Sequence, residues 1–170
     1  MQRRLYVLAI LFILSASICL NAAFSSDKII DVSYTQLTPA AQKQIDCLAD
    51  NIYYEAGYEP EDGKVAVAFV TLNRVNDPRY PKDICGVVKQ KVNSTCQFSW
   101  YCEGKRAIKN YFAYREAQEV ALLVYANYEK MKDTTKGALY YHADYVNPRW
   151  KLDKTTKIGR HIFYKERDGI

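Results

Sequence analysis

The stretch at residues 65–72, Val-Ala-Val-Ala-Phe-Val-Thr-Leu, constrains the fold more than any other. Glu61 and Asp62 precede it and suit the first turn of a helix, where the helix dipole favours negative charge. A helix that is apolar on nearly every side cannot lie on a surface with one face in water. It must be the centre of a domain, with the rest of the chain packed around it. A chain of 170 residues holds one such core and is too short for two ordinary domains. Apolar content of 49% with 7 glycines argues against a disordered chain.

The flanking segments read as partners for that centre. Thr38 followed by Pro39 is a helix start, an N-cap with proline at the first helical position. Ile45, Leu48, Ala49, Ile52 and Ala56 then recur at helical spacing, and Gly57 offers a C-terminal stop. Pro78 ends the buried helix, whose Asn73 and Arg74 are expected as buried hydrogen-bonding anchors. Asp83 can cap a short helix over 84–90, and residues 107–131 form a long amphipathic helix. The aromatic run 96–102 reads as a short strand or hairpin edge. Residues 138–146 read as a strand or extended loop, 147–150 as a turn and 158–165 as a closing strand. The fold class expected is α+β: one mainly helical domain with a small β-hairpin or sheet.

The N-terminus predicts export. Residues 1–4 are basic, 5–20 almost continuously apolar, and small residues follow. That is the pattern of a secretory signal, cut near Ala22 or Ala23. Its apolar run falls short of the ~20 residues of a comfortable membrane span. An uncleaved signal anchor is the competing reading, and Ile18 spoils a lipoprotein box before Cys19. The domain division expected is 1–23 signal or anchor, 24–37 a loose lead-in, and 38–170 the functional domain. After the signal, four cysteines remain: Cys47, Cys85, Cys96 and Cys102. In an oxidising compartment an even number points to two disulfides, with three connectivities open. The two histidines, His142 and His161, do not lie at ligand spacing from a cysteine pair, so no metal is expected. The net charge of +5 suits an anionic surface or plain solubility, and the 15 tyrosines supply amphipathic rings of the kind that line polar clefts.

At about 100° per residue, Glu55 falls beside the apolar stripe, three residues after Ile52 and seven after Leu48. Asp46 and Asp50 fall nearer the polar face. A carboxyl at that margin, with Tyr54 and Tyr58 nearby, can be partly desolvated, which raises its pKa toward the range of a general acid. The alternative is a structural carboxylate paired with a cation or capping a backbone group. Trp100 and Tyr101 read as sugar-stacking or core residues, His142 as a ligand-orienting or structural histidine, and His161 as a structural strand residue.

The blocks CLADNIYYEAGYEPEDGKVAVAFVTLNRVNDPRYPKDICGVVKQ, CQFSWYCEGK, YYHADYVNPRW and IGRHIFY, in this order, resemble the SleB/CwlJ-type cell-wall hydrolases. The resemblance runs from about Cys47 to Tyr164. It implies a lysozyme-like, lytic-transglycosylase-like fold acting on peptidoglycan. The family signature resembles Glu-Ala-Arg-Gly-Glu with the first glutamate catalytic. Here it stands as Glu55-Ala56-Gly57-Tyr58-Glu59, which puts the catalytic role on Glu55 and replaces the Arg-Gly pair. The resemblance implies that Glu59, Gln97, Ser99, Trp100, Tyr141, His142, Tyr145 and Asn147 bind substrate along the glycan groove.

Hydrolysis by water normally needs two carboxyls at set separation, whereas a lytic transglycosylase works with one. Glu55 has no evident partner, since Glu59 and Asp144 read as structural or hydroxyl-positioning. The resemblance therefore implies cleavage between N-acetylmuramic acid and N-acetylglucosamine, as a transglycosylase or muramidase, without cofactor. An exported monomer in the periplasm or cell envelope is expected, bound to glycan strands and not to nucleic acid, meeting the membrane only through its N-terminal segment. The alternatives are an N-acetylmuramoyl-L-alanine amidase and a non-catalytic peptidoglycan-binding module. An amidase needs a metal or an activated nucleophile such as a Cys-His pair.

Overall fold

A computed structural model describes residues 29–104 and 107–167. The expected signal or anchor, residues 1–23, lies outside them. Among the described residues no helix is long and apolar enough to cross a membrane.

Two helices form the frame, α1 (Pro39–Ala56) and α2 (Glu61–Asn76), followed by the short α3 (Ile84–Val88). A minimal hairpin, β1 (Lys91–Val92) and β2 (Thr95–Cys96), leads into α4 (Ser99–Cys102) and the long α5 (Tyr111–Asn127). An antiparallel sheet of β3 (Tyr140–Ala143), β4 (Asp153–Ile158) and β5 (His161–Lys165) closes the chain, in the order β3-β5-β4. The strand β4 carried no clear sequence signal, because its Asp-Lys-Thr-Thr-Lys run is polar and half-exposed.

The helix starts are local chemistry. Thr38 Oγ1 accepts from Ala41 N at 3.3 Å with Pro39 at the first position, and Asp83 Oδ1 accepts from Gly86 N at 2.9 Å. The helix expected from residue 107 begins four residues later, because Asn110 caps it by accepting from Ala113 N at 3.1 Å.

The all-round apolar character of α2 is explained by its neighbours. Ala68 and Leu72 join the main core with Leu48 and Ile52 of α1, Val87 of α3 and Val120 and Val124 of α5. Ala66 and Val70 pack instead against Ala138 and Phe163, next to and within the sheet. Water therefore reaches neither side, and each fully buried Val, Leu or Phe contributes roughly 1.5–3 kcal/mol.

Three expectations change. The run 96–102 is not a strand beyond Cys96: it turns into α4, closed by the Cys96–Cys102 disulfide and by burial of Trp100. The open disulfide pairing resolves as Cys47–Cys85, joining α1 to α3, and Cys96–Cys102. From residue 29 the lead-in is docked and not loose. Asn127, fully buried, accepts from Ile30 N at 2.6 Å and donates to Ile30 O at 3.0 Å, while Tyr34 and Leu37 pack on the core.

Candidate active site

Glu55 sits in the last turn of α1, where the chain leaves the helix at Gly57. It faces a cavity of about 360 Å³ formed by the end of α1, Ala107 and Lys109 of the segment leading into α5, the end of β3 and the β4–β5 turn. Its Oε2 accepts a hydrogen bond from Tyr141 Oη of β3 at 3.0 Å. Burial pushes the Glu55 pKa up. The Tyr141 hydrogen bond and the Arg74 charge pull it back, Glu103 pushes it up again, and the balance stays above the ordinary carboxyl range. Burial and the neighbouring Glu55 carboxylate raise the Tyr141 phenol, so it stays protonated and donates.

Arg74 stands behind this pair. Its Nε donates to Leu139 O at 2.8 Å and its guanidinium lies over Phe98 and Tyr80, 5.2 and 5.4 Å from the ring centres. Asn73 donates to Ala138 O at 3.1 Å and accepts from Tyr128 Oη at 2.7 Å. Both are the hydrogen-bonding anchors expected, Arg74 buried and Asn73 half-buried, and they tie α2 to the segment that carries β3.

Glu59 lines the same cavity, but its carboxylate is engaged: Oε2 accepts from Arg160 N at 2.8 Å in the β4–β5 turn. Gly159 occupies that turn with φ +54, and a Cβ there would collide with the Glu59 carboxylate. Asp144 is likewise engaged, 2.9 Å from Lys157 Nζ, and that contact holds its pKa below the usual carboxylate value. Glu55 is thus the carboxyl of the cavity wall whose protonation is left poised.

The other expected residues divide. Tyr145 lines the cavity, is open to solvent and lies under the Arg160 guanidinium. His142 falls on the sheet face opposite Tyr141, stacked on Tyr164 and edge-on to Trp150. Its Nδ1 bonds Ala143 O at 2.8 Å; since a carbonyl only accepts, Nδ1 carries the proton, and Nε2 lies 3.0 Å from Tyr164 Oη. Trp100 is a buried prop and not an open stacking platform. Its Nε1 donates to Asn51 Oδ1 at 3.1 Å and its ring stacks on Tyr54 at 4.6 Å. Gln97, Ser99 and Asn147 are exposed and do not line the Glu55 cavity.

His161 belongs to the site although its strand position suggested only structure. The register pairs it with Ala143, on the face of Tyr141 and Phe163, and its ring meets Tyr141 edge-on at 5.2 Å. It lines the cavity while 7% exposed, its Nδ1 is buried without a hydrogen-bond partner, and burial lowers its pKa so that the imidazole stays neutral. Strand alternation places His161 with Phe163, but only packing says which face meets α1.

The family model described as Cell Wall Hydrolase matches residues 58–164 of this chain. The chain belongs to that family. Glu55 lies three residues ahead of the matched range, and the family's similarity to curated proteins extends over more of the chain. The spore cortex-lytic enzyme of Bacillus subtilis (strain 168) is 30% identical over 130 residues, 72% of this chain and 38% of that protein. The one from Bacillus cereus is 33% identical over 128 residues, 74% of this chain and 45% of that protein. The chain therefore spans less than half the length of these relatives. The crystal structure of the catalytic domain of the Bacillus cereus SleB protein superposes with a TM-score of 0.55 at 30% identity, covering 73% of this chain and 91% of that one. The catalytic domain of the germination-specific lytic transglycosylase SleB from Bacillus anthracis gives 0.56 at 30% identity, covering 73% and 95%. The family's lysozyme-like fold is thus the mainly helical α+β architecture described above.

Proposed function

We propose that this chain is a peptidoglycan hydrolase that cuts the glycan strand between N-acetylmuramic acid and N-acetylglucosamine as a lytic transglycosylase. Residues 1–23 would export it, as signal or anchor, to the periplasm or cell envelope, and the domain at 38–170 would act there as a monomer. The observation that carries the reading is the poised carboxyl: Glu55 is held above the ordinary range at a cavity whose other lining carboxylate, Glu59, is committed to the Arg160 backbone, while Asp144 outside it is paired with Lys157. Protonated Glu55 donates to the glycosidic oxygen as the C1–O bond breaks and positive charge develops on the muramic ring. The resulting carboxylate then takes the proton of the muramic C6 hydroxyl while O6 bonds to C1. The proton lost in the first step is regained in the second, and no water is consumed.

Mass analysis of muropeptides from purified sacculi tests this. Ends bearing 1,6-anhydromuramic acid are the expected product. Reducing muramic ends would mean a muramidase, freed stem peptides an amidase, and uncut glycan a binding module.

Tyr141→Phe tests the tuning of Glu55. The lost hydrogen bond favoured the charged carboxylate, so its removal raises the Glu55 pKa further. The alkaline limb of kcat/KM, where the acid loses its proton, should move to higher pH. The maximum rate should fall because the carboxyl is less well oriented. An unmoved alkaline limb would refute the role given to Tyr141.

A further inference from the structure

A second cavity, about 730 Å³ against about 360 Å³ for the first, adjoins the one at Glu55. Gly57, Tyr58 and Glu59 line both, so the loop after α1 separates two compartments of one groove. Tyr58 is 86% exposed on the dividing ridge, and Phe112 is 62% exposed on the wall of the second compartment. Two aromatic side chains this open leave apolar area in water that ordinary packing would cover, and such clustered exposure marks a binding surface. Behind them the wall is polar and fixed. Lys64 Nζ, nearly buried on α2, lies 2.8 Å from Glu116 Oε2 on α5 and ties the two sides of the compartment together. The Arg115 guanidinium lies over the Phe112 ring, 5.5 Å from its centre.

We propose that this second compartment is a carbohydrate subsite that holds sugars of the same strand beyond those at Glu55. The inference rests on the reading of the chain as a glycan-strand enzyme. Pyranose rings present apolar C–H faces to aromatic rings and hydroxyls to polar walls, which is what Tyr58, Phe112 and the Lys64–Glu116 pair offer. A stem peptide is the poorer occupant: Glu59, Glu61, Glu116 and Glu119 line the compartment against one lining lysine, Lys64, and even with Arg115 3.9 Å from Glu119 the wall stays net negative and repels the peptide's carboxylates. Tyr58 stands where the resembled signature has glycine, so this subsite is a property of this chain and not one read from its relatives. It would set the length of strand that the enzyme prefers.

The test is calorimetric titration of the Glu55→Gln chain, which holds ligand uncut, with chitotriose, chitohexaose and a free stem peptide. The hexamer should bind more tightly than the trimer. Adding Tyr58→Ala or Phe112→Ala should lower the hexamer-to-trimer affinity ratio about tenfold, and Tyr58→Phe should keep it because the ring remains. Both positions are open to solvent, so melting temperatures should hold and separate lost binding from lost folding. An unchanged ratio in the alanine variants overturns the subsite alone, and so does stem-peptide binding that those variants abolish. Failure of the Glu55→Gln chain to bind any saccharide overturns the glycan-enzyme reading and the subsite with it.

Discussion

Glu55→Gln should lower cleavage of purified sacculi by about 10²–10⁴-fold, the range that a positioned general acid supplies. Glutamine keeps the shape of the side chain and an oxygen for the Tyr141 hydroxyl to reach, but it has no proton to give to a leaving oxygen. The same change should leave the protein as stable as the parent or more so at neutral pH. Glu55 has a folded pKa above its unfolded one. Between those two values the native state holds a proton that the unfolded chain has lost, so stability falls as pH rises through the interval. Above the folded value the full cost of a desolvated carboxylate is present, and glutamine removes it. Thermal melts should therefore show the variant's advantage at neutral pH and show it vanish below the ordinary carboxyl range. Cleavage retained by a folded variant would remove Glu55 from the mechanism; lost cleavage with a collapsed melt would make it a structural residue.

Replacing both cysteines of the Cys47–Cys85 bridge by alanine should cost about 4 kcal/mol, against about 2 kcal/mol for Cys96–Cys102. The reason is the length of chain each bridge closes: 38 residues in the first and 6 in the second. A cross-link removes more freedom from the unfolded chain when its loop is longer, and the chain-entropy relation turns that difference into these values. For a domain of this size the first pair should lower the melting temperature by roughly 10–20 °C and the second by about half as much. Cys47 and Cys85 are also core residues, 8% and 6% exposed, at the junction of α1 with α3. Their loss therefore loosens the helix that carries Glu55, and cleavage at elevated temperature should fall in step with the melt. Equal melting shifts for the two pairs would show that native packing, not loop closure, decides their worth. Material made in a reducing compartment should behave like the double-alanine chain, because the thiols do not pair there.

Much of the fold was legible because it is governed by neighbours along the chain. Thr38 with Pro39, and Asp83 at its turn, are caps whose partners lie three residues away, and both formed as expected. The aromatic run at 96–102 misled for the opposite reason. Its residues favour a strand in isolation, but the Trp100 indole finds its acceptor on Asn51 and its stacking partner in Tyr54, far back on α1, and burial there outweighs local preference.

The candidate site divides along the same line. By itself the sequence determined that 65–72 lies at the centre, that Glu55 stands beside a buried stripe, and that the chain resembles cell-wall hydrolases, since periodicity and motif order need no coordinates. Tertiary structure alone decided that Tyr141 meets Glu55, that Glu59 is taken by the Arg160 backbone, and that of the two histidines His161 and not His142 faces the cavity. Alternation along a strand says which residues share a face. Which face is pressed against α1 depends on contacts spanning about a hundred residues, and those follow from packing the whole core at once.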